Sequence, residues 1–182
     1  MKLVDTAGLV PGAWKGRGLG NQFLDKVSRA RVLVHVVDAS GGTDFEGRPL
    51  KPGSHDPLED VKFLEEEIAR WLLGHIKRDW DRIATRCEVT KRPVFECLSD
   101  KLSGLEFTLY EVKEAVLLVD KDPMKPKSWR EGDILELTKR LIEVARPVII
   151  AANKAESDVA EANVRRMVEL GYDVIPTSSI SE

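Results

Sequence analysis

Three short stretches of this 182-residue chain put phosphate- and base-binding chemistry directly behind apolar runs. The first, Asp5-Thr6-Ala7-Gly8, follows Leu3 and Val4. An aspartate at the end of a strand can hold Mg²⁺ through water, and a nearby glycine can bring its backbone N–H to a terminal phosphate. The second, Asn153-Lys154-Ala155-Glu156, follows the run from Val148 to Ala151. A carboxylate there can accept two hydrogen bonds from a purine edge, with the lysine stem lying along the ring. The third, Thr177-Ser178-Ser179, is a turn whose backbone and hydroxyl groups can face the same base. DxxG alone recurs by chance. Three such stretches in this order, each at the carboxyl end of its own strand, are much more specific.

The elements that must position these residues read as alternating strands and helices. Leu3 to Val4, Val32 to Val37, Val148 to Ala151 and Val174 to Ile175 are nearly continuous apolar runs, the pattern of parallel strands buried on both faces. "SDVAEANVRRMVELG" predicts a helix with Ser157 as N-cap and Gly171 just past its end. Strand, helix, strand is the α/β signature. The middle of the chain, from about Thr43 to Arg146, is different and predicts four or five helices without a convincing strand. Asp56 is placed as an N-cap, with Pro57 at the first helical position and Glu59 set for a reciprocal cap. Leu58, Val61, Leu64, Ile68, Trp71 and Leu72 then share one helical stripe. Thr108/Glu111 and Ser128/Glu131 repeat the capping box ahead of two further amphipathic runs.

Composition narrows the function classes. Lys plus Arg number 28 against 31 Asp plus Glu, a net charge of −3, so no global basic field argues for nucleic acid, and any RNA contact would come from a local patch. No apolar run is long enough to span a bilayer and no signal-like segment opens the chain, so a soluble cytoplasmic protein without membrane or DNA partners is expected. Cys87 and Cys97 read as thiols in a reducing compartment rather than a disulfide framework. His55 and His75 have no metal-like spacing, and His35 reads as a hydrogen-bonded core histidine. Glu65-Glu66-Glu67 reads as a solvated helix face, and Trp71, Trp80 and Trp129 as core. Trp14 sits in a glycine-rich loop beside Lys15 and Arg17, where packing of that loop is favoured over contact with RNA or a partner.

The order DxxG, NKxE and a serine-containing loop resembles the later motifs of translation-factor-class P-loop GTPases. The run "DTAGLVPGAWKGRGLGNQFL" looks like the signature of the Obg family, and the helical segment between "VLVHVVDASG" and "RPVIIAANKAE" points to its YchF-like branch. This similarity covers nearly the whole chain. It implies an α/β fold, a partial P-loop NTPase parallel sheet with an inserted α-helical domain. Residues 1–43 and 128–182 would form the partial G domain and residues 44–127 the insertion. It also implies a purine nucleotide, GTP or ATP, with Mg²⁺, hydrolysis of the γ-phosphate, and the ribosome or ribosomal RNA as partner.

Residue by residue, the resemblance assigns Asp5 to the Mg²⁺ and Gly8 to the γ-phosphate. It assigns Asn153, Lys154 and Glu156 to the base, and Ser178 to the base-supporting loop. Leu9 stands where many GTPases carry a water-orienting glutamine, as an apolar residue does in Obg-like proteins, and the sequence does not identify what replaces it. Glu156 replaces the usual aspartate; the YchF-like branch is known for a glutamate variant with relaxed or adenine-preferring binding, so ATP is expected at least beside GTP. No GxxxxGK[ST] occurs in the chain, and the family's small β-rich module is absent too. The sequence thus resembles an internal, inactive piece of a larger NTPase. In that family the strand before DxxG and the "VLVHVVD" strand flank another strand, so two apolar edges would face a gap. The alternative is a non-catalytic fragment that binds a partner through its helical insertion.

Overall fold

The Val- and Ile-rich runs form three parallel strands, β1 Leu33–Asp38, β2 Val148–Asn153 and β3 Asp173–Pro176. In this computed structural model, which describes residues 3–6, 9, 12–15, 23, 26–27 and 29–179, they pair in the order β1-β2-β3. The register sets His35 beside Ile150 and Val37 beside Ala152 on one face, and Val34 beside Ile149 and Val36 beside Ala151 on the other. The first face is closed: Val37, Ile150 and Ala152 share a cluster with Leu58, Val61, Ala160 and Met167. The second is open, with Val34 56%, Val36 65% and Ile175 54% exposed. Burial on both faces, expected from the continuous apolar runs, therefore holds for one face among the described residues.

The expected strand at Leu3 and Val4 is not formed. Residues 3–6 have no regular structure, and Leu3 is 84% exposed. An extended pair of residues has no hydrogen bonds of its own and becomes a strand only beside a neighbour. The outer edge of β1 supplies none among the described residues.

Six α-helices are bounded among the described residues: α1 Pro57–Lys77, α2 Trp80–Thr90, α3 Val94–Leu102, α4 Leu109–Leu117, α5 Glu131–Ala145 and α6 Asp158–Glu169. Asp56 caps α1 by accepting from the Leu58 amide, with Pro57 at the first helical position. Glu59 does not close the reciprocal cap; its carboxylate faces His55 Nδ1 at 3.9 Å. Thr108 and Glu111 form the full capping box of α4. At α5 the box lies elsewhere than expected. Ser128 donates its hydroxyl to Lys125 in a 3-10 turn, and Asp133 accepts from the Arg130 amide at the helix start. Ser157 caps α6 as expected, and Gly171 follows that helix with a φ of +91°.

A second and larger cluster joins α1 through α5. Leu72, Ile76, Leu98, Leu102, Val112, Leu137 and Leu141 are essentially inaccessible within it. Trp71, Trp80 and Trp129 belong to it as expected, the last two with ring centroids 5.6 Å apart. α1 spans both clusters, since Leu58 and Val61 lie on the sheet while Leu64 to Ile76 lie among the helices. Two expectations are corrected here. Cys87 and Cys97 are not separate thiols: their Cα atoms are 6.2 Å apart and their sulfurs are bonded, because the turn between α2 and α3 brings the two helices face to face. The Glu65–Glu67 run is not a solvated face either. Successive helical residues point about 100° apart, so one of the three turns inward, and Glu67 is only 6% exposed.

Candidate functional site

The carboxyl ends of the three strands lie side by side, and the loops leaving them are tied together. β2 ends at Asn153, whose Oδ1 accepts from the Ser179 amide at 3.2 Å. The Ala155 amide donates to the Thr177 carbonyl at 3.0 Å, and the Thr177 amide to the Ala152 carbonyl at 2.9 Å. Asn153-Lys154-Ala155-Glu156 and Thr177-Ser178-Ser179, read from sequence as two halves of one base site, are therefore hydrogen-bonded neighbours. Ser178 is half-buried within that turn, and Glu156 is exposed beside it. Ala155, Glu156, Ser157, Asp158, Val164 and Pro176 line a cleft of about 180 Å³ next to the two loops.

Lys154 adopts a left-handed backbone, with a φ of +59°. Its ammonium crosses to β1 and bonds Asp38 Oδ2 at 2.7 Å. Asp38 also accepts from the Ser40 amide and hydroxyl and from the Thr43 hydroxyl. Burial raises the Asp38 pKa, but the bonds from Lys154, Ser40 and Thr43 outweigh it and hold the carboxyl below the usual carboxylate range. Sequence reasoning missed Asp38. The available signal was its place as the last residue of a parallel strand, where α/β sheets gather ligand-facing groups. The loop beyond it is held firmly: Asn163 on α6 donates to the Ala39 carbonyl at 2.9 Å. Gly41, with a φ of +60°, lies so close to His55 that a Cβ would stand 2.1 Å from the His55 carbonyl oxygen. No residue with a side chain fits there.

The phosphate-side residues are not drawn into this arrangement. Asp5 is exposed, and its carboxylate accepts from the Thr6 amide at 2.9 Å. Gly8 lies outside the described residues. Trp14 is half-buried against the helical cluster, in keeping with the packing role expected of it. His35 is half-buried, and its buried Nδ1 has no hydrogen-bond partner, which corrects the expected hydrogen-bonded histidine. Desolvation lowers its pKa to about 4. Among the described residues no helix is long and apolar enough to cross a membrane, and no cluster of three or more His, Cys, Asp or Glu could hold a metal.

With this geometry in view, the relatives are informative. No family model matches the chain. A GTP-binding protein of Methanocaldococcus jannaschii is 44% identical over 181 residues, covering 98% of this chain and 44% of that protein. Obg-like ATPase 1 of Caenorhabditis elegans is 31% identical over 159 residues, covering 87% of this chain and 37% of that protein. The ribosome-binding ATPase YchF of Mycoplasma genitalium is 29% identical over 160 residues, covering 87% and 39% respectively. A solved GTP-binding protein from Pyrococcus horikoshii OT3 superposes with a TM-score of 0.78 at 39% identity, covering 87% of this chain and 46% of that one. The chain spans less than half the length of each of these relatives.

Proposed function

Because the chain belongs to the Obg/YchF-like family, we propose that its strand ends bind the base of a purine nucleotide, as part of an NTPase cycle coupled to the ribosome. The observation that carries this reading is the joining of Asn153-Lys154-Ala155-Glu156 to Thr177-Ser178-Ser179 by the Asn153–Ser179 and Ala155–Thr177 bonds. Glu156 supplies acceptors for a base edge, and Lys154, steadied by Asp38, lies along the ring. The left-handed backbone at Lys154 turns the loop sharply enough for both to face one ligand. Residues 1–43 and 128–182 form the nucleotide-binding unit in this reading, and residues 44–127 the helical insertion. The ribosome enters through a relative named a ribosome-binding ATPase.

Mg²⁺ fits the donor set only as a shared ion. Asp5 is one exposed carboxylate outside any described cluster of three or more candidate ligands, so it would hold the ion together with water and phosphate oxygens, as Mg²⁺ at nucleotides prefers. When bound, that ion would neutralise charge on the phosphates.

The reading is tested with the base alone, since base recognition needs no phosphate loop. Guanosine and adenosine monophosphates at millimolar concentration should shift the amide resonances of Asn153–Glu156 and Thr177–Ser179. AMP should do so at least as well as GMP, and Glu156→Asp should move the preference toward GMP by about 1–3 kcal/mol, the size of one bidentate contact. Shifts absent from both loops would overturn the reading. A second reading, partner binding through the insertion, is favoured by Leu109, Tyr110 and Leu117, which are more than half exposed along α4.

A further inference from the structure

Glu67 is a carboxylate in an expensive place. It sits midway along α1, between the sheet-facing Leu58 and Val61 and the helix-facing Trp71 and Ile76, and is 6% exposed. Burying a charge costs several kcal/mol unless its oxygens are met by donors. Both oxygens are met, and by main chain: Oε1 accepts from the Gly12 amide and Oε2 from the Trp14 amide, each at 2.9 Å. The cations that could compete for it are engaged by its neighbour, since Glu66 bridges Arg70 at 2.6 Å and Lys139 at 3.9 Å.

The segment it grips belongs to the glycine-rich run that follows Asp5. Gly12 has a φ of +84°, and the 3-10 turn Ala13–Lys15 comes next, with Ala13 fully buried. The Trp14 ring meets α1 a second time: the Arg70 guanidinium lies 5.7 Å from its centroid. Main chain and side chain of the same turn are thus held by one helix. That helix has 21 residues, about 31 Å at 1.5 Å per residue, and runs from the sheet into the helical cluster.

We propose that Glu67 is a positioning residue that latches this loop to the helical insertion, so that residues 12–15 move only together with α1 or after Glu67 lets go. The proposal rests on the nucleotide reading only for what the loop would sense. The latch itself exists without ligand and joins the phosphate side of the site to a partner-facing unit. A displacement of α1 by a partner would reach the loop through two charge-assisted hydrogen bonds, and a loop rearrangement would reach α1 by the same route.

Amide hydrogen exchange on the nucleotide-free 182-residue chain tests this. In Glu67→Gln one acceptor oxygen becomes an amide group that cannot accept. Protection should fall by at least about tenfold at whichever of the Gly12 and Trp14 amides meets the new amide group, the effect of one charge-assisted hydrogen bond, while Leu137 and Leu141 in α5 keep theirs. Glu67→Asp, which retains both oxygens on a shorter stem, should recover part of the loss. Unchanged protection at Gly12 and Trp14 in the Gln variant would overturn the latch. So would an equal loss at Leu137 and Leu141, which would mean that Glu67 merely supports the fold. Since no nucleotide is present, neither outcome bears on base recognition.

Discussion

Along α1 the chain passes between two kinds of packing. Its first turns lean on the sheet through Leu58 and Val61, and its later turns enter the cluster of Leu98, Leu102, Leu137 and Leu141. The helical region has a closed centre, where Leu72, Leu98, Leu102, Leu137 and Leu141 are inaccessible. The sheet region is closed on one face and open on the other, where Val34 and Val36 meet solvent. A helix satisfies its own backbone hydrogen bonds and needs neighbours only for its apolar stripe. A parallel strand needs a partner at each edge and cover on each face. Helical segments can therefore complete a core among themselves, whereas a strand that lacks one neighbour leaves an edge and a face unfinished.

The largest expected effect separates chemistry from binding. The sheet region holds the loops proposed to bind the base, but the chain has no GxxxxGK[ST] to hold the phosphates. Lacking about four charge-assisted hydrogen bonds at roughly 1.5–3 kcal/mol each removes about 6–12 kcal/mol, enough to abolish micromolar nucleotide affinity. Residues 1–182 should give no measurable turnover of ATP or GTP. Mg²⁺-dependent phosphate release that disappears in Asp5→Ala would mean that the open region is better organised than its packing implies.

Paired truncations measure the comparison directly. Leu141→Ala, in the closed cluster, should cost about 2–5 kcal/mol in urea unfolding, from lost transfer energy and the cavity left behind. Val36→Ala, on the open face, should change stability by no more than about 0.5 kcal/mol, because its side chain is already largely in water. Similar losses at both positions would show that the face is covered in solution.

The parts that were legible in the sequence are those whose signal is local. Asp56 with Pro57, Thr108 with Glu111, and Ser157 with Gly171 announce helix ends, because capping is decided within a few residues. That Asn153–Glu156 and Thr177–Ser179 come together was legible because each loop follows its own strand. Misread features depend on what lies across space. Ser128 lost the α5 cap to Asp133 because the 3-10 turn at Pro126–Ser128 engages its hydroxyl first. Glu67 could not be told from Glu65 and Glu66 without knowing which side of α1 meets the loop. Asp38 was passed over because its partner, Lys154, lies 116 positions away in the chain.

Acid should act on the sheet through His35. Its folded pKa of about 4 lies below the ordinary value of 6.5, so between those values the unfolded chain binds more protons. Stability should fall as pH drops through that window, by up to about 3 kcal/mol. Asp60 and Glu65, raised by burial, contribute in the opposite direction over an overlapping range. The depressed Asp38 contribution is lost only at lower pH. The difference between the native chain and His35→Leu isolates the histidine. If both lose stability in parallel from pH 6.5 to 4, His35 is solvated.

The smallest expected effect is a difference in opening rather than in global stability. α1 carries ten buried residues, from Pro57 to Ile76, so exposing its amides means breaking the helical cluster. In β1 only Val37 is buried, and among the described residues the strand has one hydrogen-bonded neighbour. Fraying β1 from its free edge exposes little new apolar surface, and such segments open well below the global unfolding energy. Amides of the Leu58–Leu73 stretch should therefore exchange at least about tenfold more slowly than those of Val32–Val37, a gap of about 1.4 kcal/mol. The comparison is cleanest between Leu72 and Val37, because the alternation that sends the Leu33 and Ala39 amides toward β2 sends the Val37 amide there as well. Equal or reversed protection would mean that the free edge of β1 is paired in solution, by another chain or by residues outside those described. Dilution distinguishes these: protection by another chain fades as concentration falls, whereas pairing within the chain does not.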